Sequence, residues 1–162
     1  MTLRPHRSRT LPAGLPVLIA LAALLAGSCT AAPDGPPEIV LDRTVCDRCS
    51  MLVSEPGFAA AFLVPGADGP RVFDDAACLF AALAEEPEPG RVRVWFQDAH
   101  GGGWMEAPQA VFVQTSRSTT PMGSGLLAFR EAAAAHRVAR NRDGEILSFA
   151  ALRERLASEA MG

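Results

Sequence analysis

Ten consecutive apolar residues, Val17 to Ala26, follow a stretch that carries Arg4, Arg7 and Arg9 and no acid. A charged start followed by a short apolar run is the pattern of a secretory signal. A membrane-spanning helix would need about 20 apolar residues, twice what this run offers. The segment closes on Leu24-Leu25-Ala26-Gly27-Ser28-Cys29, which has the form of a lipobox. The expectation is that residues 1–28 are removed and Cys29 is lipidated. The competing reading is ordinary signal cleavage that leaves Cys29 as a free thiol. Setting the leader aside leaves 134 residues, enough for one small domain. Thr30 to Pro37 (Thr-Ala-Ala-Pro-Asp-Gly-Pro-Pro) is a stiff, apolar-poor spacer, so the folded part is expected from 38 to 162.

Charge narrows the partners. All 15 basic side chains are Arg and stand against 18 acids, and three of those arginines leave with the leader. A protein that tracks phosphates needs a clustered basic face, and none remains downstream. Intrinsic disorder is excluded by the 49% hydrophobic content. Export in turn permits disulfides.

Periodicity and turn residues supply an α+β pattern. Ile39-Val40-Leu41 reads as a short strand before a Cys-rich loop. Ala59 to Val64 and Arg71 to Phe73 read as strands joined by the turn Pro65-Gly66-Ala67-Asp68-Gly69. Asp74 or Asp75 caps a helix running to about Glu85. Arg91 to Phe96 alternates as a half-buried strand does, and Trp104 to Val113 continues as strand after Gly101-Gly102-Gly103. A helix over Arg130 to Arg140, a strand over Glu145 to Leu147 and a Ser148-capped helix to Ala160 complete the reading. Phe73-Asp74-Asp75-Ala76-Ala77 and Phe129-Arg130-Glu131-Ala132-Ala133 open similar stretches. This suggests two copies of a β-β-α-β unit, one over about 38–98 and the other over about 104–162.

The chemistry concentrates in Cys46-Asp47-Arg48-Cys49-Ser50-Met51. A closed zinc site wants four Cys or His ligands, and there is no second C-x-x-C. A thioredoxin-like site wants its C-x-x-C at a helix N-terminus, and Glu55-Pro56-Gly57 leaves no room for that helix. Thiolate and thioether sulfur together select Cu(I). In an extended segment Cys49 and Met51 project to one face, whereas on a helix they diverge by about 200°. A third ligand has to arrive from elsewhere. Met122, between Pro121 and Gly123 in a polar loop, is the candidate. Its competing role is that of a gap-filling side chain.

In order along the chain, Cys46-x-x-Cys49-x-Met51, Phe73-Asp74-Asp75-x-x-Cys78, Trp104-x-x-Ala107-x-x-Ala110-x-Phe112-Val113 and Thr120-Pro121-Met122-Gly123-x-Gly125-x-x-Ala128-Phe129 resemble NosL. NosL is the copper-chaperone lipoprotein family of the nitrous oxide reductase system. The resemblance spans about Asp42 to Leu156. It implies two β-β-α-β lobes with a C-terminal helix, and Cu(I) held by Cys49, Met51 and Met122. It also implies a lipid anchor at the periplasmic face of a bacterial membrane, and delivery to nitrous oxide reductase or to its ABC-type assembly transporter. Cys46 is then an auxiliary or structural thiol. Family members usually carry Gly where this chain has Ser50.

Four features have simpler readings. Cys78 falls on the apolar helix face, where an inert buried thiol is expected. His100, in the turn Asp98-Ala99-His100-Gly101, is either a fourth ligand or an exposed turn residue. Asp74-Asp75 and Glu85-Glu86 are read as capping and solvating their helix. Gly123-x-Gly125-x-x-Ala128 imitates a dinucleotide fingerprint but lacks the strand-to-helix turn before it. No catalysis is expected. The alternative function is a thiol–disulfide oxidoreductase using Cys46 and Cys49.

Overall fold

The computed structural model describes residues 34–160. The leader, Cys29 and the start of the spacer lie outside the described residues. Among the described residues, seven strands form two antiparallel sheets. The first contains β1 (Ala60–Leu63), β2 (Arg71–Phe73), β3 (Arg93–Gln97) and β4 (Trp104–Glu106), in the order β2-β1-β3-β4. The second contains β5 (Val111–Gln114), β6 (Leu126–Phe129) and β7 (Glu145–Ser148), in the order β6-β5-β7. Helix α1 (Ala76–Leu83) connects β2 to β3, α2 (Ala132–Asn141) connects β6 to β7, and α3 (Phe149–Ala160) closes the chain. Both halves therefore have the same β-β-α-β order, with the first strand of each unit in the middle. β2 ends at Phe73 and α1 begins at Ala76, while β6 ends at Phe129 and α2 begins at Ala132. The expected α+β architecture is the one observed.

Pleating explains the layering. In β5, Phe112 lies opposite Ala128 and Leu147, and all three join the main core with Phe62, Phe73 and Phe96 of the first sheet. The alternate residue Val113 lies opposite Leu127 and Ile146, and packs with Ala134, Ala135 and Ala139 of α2 on the other side. The second sheet is thus buried on both faces. Phe149 at the start of α3 meets the rings of Phe80, Phe96 and Phe112 at centroid distances of 6.0, 6.1 and 6.2 Å. These tilted and edge-on aromatic contacts join helix and both sheets into one core.

Two expectations are corrected. Residues 39–41 form no strand. The Val40 carbonyl accepts from the N–H groups of Arg43 and Thr44, making a turn, and Val40 and Leu41 are exposed. Without a partner strand, three apolar residues have nothing to hold them extended. Residues 104–113 are not one strand either. A 3-10 turn at Ala107–Gln109 with Pro108 interrupts them, so Trp104–Glu106 completes the first sheet and Val111 starts the second. A proline there removes a ladder donor and lets the chain change sheets.

Candidate metal centre

The edge position of β2 builds the site. An edge strand has unpaired backbone groups, and Asp47 satisfies two of them on Val72. Its N–H donates to the Val72 carbonyl at 2.8 Å, and its carboxylate accepts from the Val72 N–H at 2.7 Å. This lays the Cys46–Met51 loop along the sheet edge. The loop closes on itself: the Cys46 N–H donates to the Met51 carbonyl and the Ser50 N–H to the Cys46 carbonyl, at 2.8 and 3.0 Å. An isolated antiparallel bridge between Val45 and Leu52 fastens its base. Arg48 also forms an ion pair with Glu85, at the far end of α1.

Helix α1 starts where β2 ends. Asp75 has extended backbone angles and accepts from the Ala77 N–H at 2.7 Å, a side-chain N-cap. Cys78 lies three residues past the cap, in the first helical turn, facing the loop. The thiol sulfurs of Cys46, Cys49 and Cys78 therefore come within 4.8 Å of one another. All three are free; Cys46 and Cys78 are buried and Cys49 is half-buried. Cys78, expected as a separate core thiol, is buried as foreseen but belongs to this cluster. The helix face was read correctly, and the loop arriving across a sheet edge was not visible. The available signal was an odd count: with Cys29 set aside as the lipidation site, the three remaining cysteines cannot all be used up by disulfides.

Burial and hydrogen bonding set the two buried thiols apart. Burial pushes the Cys46 thiol up, but N–H groups of Cys49, Asp74 and Arg48 directed at its sulfur outweigh this and hold it below the usual thiol range. Cys78 is pushed far up, first by burial and then by the charge of Cys46 beside it. Of the two buried thiols, Cys46 therefore gives up its proton more readily than Cys78.

The methionines lie further out. Met51 is 49% exposed and Met122 42%, well above what a gap-filling core residue shows. Met122 comes from the loop between β5 and β6, and its N–H donates to the second carboxylate oxygen of Asp75 at 3.1 Å. One side chain thus caps the Cys78 helix and tethers the Met122 loop. His100 is exposed on the β3–β4 turn, its N–H donating to Asp98, and is not part of the thiol cluster. Gly123 and Gly125 precede a strand, not a helix, so the dinucleotide pattern has no structural counterpart.

The extended geometry foreseen for Cys49-Ser50-Met51 is not adopted. Ser50 has φ 63°, a left-handed conformation that turns the chain between the two sulfur residues. A non-glycine residue there costs about 1–2 kcal/mol. Ser50→Gly is expected to stabilise the fold by about 0.5–1 kcal/mol once the greater freedom of glycine in the unfolded chain is deducted. Thermal unfolding should shift upward by about 2–5 °C. An unchanged or lower midpoint would mean that the Ser50 side chain compensates.

Asp74 departs from the solvating role expected of it. It is 1% exposed, and neither carboxylate oxygen has a partner among the described residues. Burial, then the charges of Asp75 and Glu55, hold its pKa above the ordinary 3.8. Below that value the folded and unfolded chains are both protonated and Asp74 costs nothing. As pH rises, the unfolded chain ionises first, so stability falls until the raised native pKa is passed. Asp74→Asn should remove this fall, because an amide does not ionise, and leave the protein more stable than the wild type at pH 7. Urea unfolding across a pH series measures it, and a less stable variant at pH 7 would contradict the assignment. Asp75 does cap the helix, although it is buried. Glu86, like Glu85, is tied to an arginine, here Arg71 at 2.8 Å.

Comparison with known proteins follows the same lines. A search against sequences of characterised proteins gives no match. Among solved structures, the chain is similar to the crystal structure of the copper chaperone NosL from Shewanella denitrificans. The TM-score is 0.65 at 22% identity, over 72% of this chain and 94% of that one. At that identity the likeness establishes the fold. The NosL family model matches residues 37–157, from the end of the spacer into α3. With three quarters of its length matched, this chain belongs to the NosL family.

Proposed function

We propose that the protein is an extracytoplasmic, lipid-anchored carrier of Cu(I), held through Cys49, Met51 and Met122. It delivers the ion for assembly of the copper centres of nitrous oxide reductase, to the enzyme or to its ABC-type assembly transporter. One observation carries this reading. Free thiols from two separate segments gather within 4.8 Å, and Cys49, the one nearest solvent, stands two residues from an exposed methionine. Soft sulfur donors in that mixture favour Cu(I) over harder ions. A thiolate supplies charge and most of the affinity, while neutral thioethers are weak donors that a recipient can displace one at a time. The family membership and the lipobox ending at Cys29 support the destination and the anchor.

Thiol–disulfide exchange is less well supported. Cys46 is 1% exposed, so it cannot meet a partner's disulfide, and the C-x-x-C lies in a turn, not at a helix N-terminus. The test is anaerobic titration of the reduced protein with Cu(I) against a competing chelator. Met51→Ala and Met122→Ala should each weaken the seat they share by about tenfold, or 1.4 kcal/mol. Wild-type behaviour in Met122→Ala would remove the distal ligand.

A further inference from the structure

The sulfur inventory exceeds what one cuprous ion uses. Cys49, Met51 and Met122 make up one three-coordinate set, and Cys46 and Cys78 are then left over. They are not scattered: both lie within 4.8 Å of Cys49 and of each other, with no disulfide among the three. Three sulfurs around a d¹⁰ ion, at bond lengths of about 2.3 Å, stand about 4.0 Å apart in a trigonal plane. The thiols are within a small contraction of that triangle before any metal arrives.

Resting on the Cu(I) reading above, we propose that this chain has a second, inner seat for Cu(I), formed by Cys46, Cys49 and Cys78. The Cys49 thiolate bridges it to the outer thioether seat, so a loaded chain holds two cuprous ions. Five sulfurs then serve two three-coordinate ions with one sulfur shared. Two positive charges against three thiolates leave one negative charge. The N–H groups of Arg48, Cys49 and Asp74, which already point at the Cys46 sulfur, face that charge. The inner seat is shielded, because Cys46 is 1% and Cys78 5% exposed, whereas both methionines of the outer seat are exposed. The outer ion is placed for hand-over and the inner ion for retention.

The experiment is Cu(I) titration of the reduced mature chain under anaerobic conditions, with copper per chain counted after desalting. X-ray absorption on the loaded wild type looks for a short Cu···Cu path. Two ions per chain and a Cu···Cu path are expected. The titration should have two steps, one weakened by Met51→Ala and Met122→Ala, the other lost in Cys78→Ala. That variant should keep one ion and an unchanged apo circular dichroism spectrum. One ion per chain without a Cu···Cu path in the wild type would overturn the inner seat and leave the carrier reading intact. No copper bound at all would overturn the carrier reading itself. The wild-type count and absorption spectrum decide the matter even if Cys78→Ala does not fold.

Discussion

Cys49→Ser is expected to lower Cu(I) affinity by about 10³-fold or more, equivalent to about 4 kcal/mol. Cys49 is the thiol nearest solvent and the residue at which buried thiols and exposed thioethers meet. A serine hydroxyl stays protonated and is a hard donor, so the variant loses both the charge that neutralises the ion and the soft contact that selects it. The side chains differ by one atom at a half-buried position, so the fold should be unaffected. Competition titration beside an apo unfolding curve separates the two effects. Wild-type affinity in Cys49→Ser would remove Cys49 from the ligand set.

The second large effect concerns a residue that touches no metal. Gly125 has φ 64°, and a Cβ added there would stand 2.0 Å from the Thr115 carbonyl oxygen, a backbone atom that cannot swing away. The Gly125 carbonyl also accepts from the Thr115 N–H at 3.0 Å, which holds the close approach in place. Gly125→Ala combines a strained left-handed residue with overpacking, each costing about 1–3 kcal/mol. The sum, about 2–6 kcal/mol, is a large part of the 5–15 kcal/mol that typically holds a domain together. Urea or thermal unfolding reads it directly. Gly125 also closes the loop that carries Met122: its N–H donates to Thr120 Oγ1 at 3.2 Å, and Gln114 holds the Ser124 carbonyl at 2.7 Å. The chains that remain folded should therefore show the Met122→Ala copper phenotype. A stable variant with unchanged binding would mean the loop can relax.

What could be read in the sequence was local. The cap at Asp75, the strands around the Pro65–Gly69 turn, and the α2–β7–α3 tail all follow from turn chemistry and periodicity within a few residues of each site. β6 has no alternation to announce it, because Leu126-Leu127-Ala128-Phe129 is buried on both faces. The break at Ala107–Gln109 depends on which sheet each side joins, and residues 104–113 alone do not contain that. The sulfur cluster was half legible. Cys49 and Met51 are neighbours in the chain, whereas Cys78 joins them through Asp47 docking on the edge of β2, a contact 25 residues long. The raised pKa of Asp74 belongs to the same class, because an Asp-Asp pair at a helix start gives no sign of which one points inward.

The matching order of the two halves also bears on how this chain could have arisen. If a single β-β-α-β unit was doubled, the copies have since divided the work. Ala134 occupies the place in the second unit that Cys78 holds in the first, and Arg130-Glu131 stands where Asp74-Asp75 does. The β1–β2 connection holds no sulfur, whereas its counterpart between β5 and β6 carries Met122. The first unit carries Cys46, Cys49, Cys78 and Met51 and the second carries Met122, so neither unit alone holds the donor set proposed above. The ion would then act as a seal between the twins, and a recipient that pulled Met122 away would undo the partnership as it took the cargo.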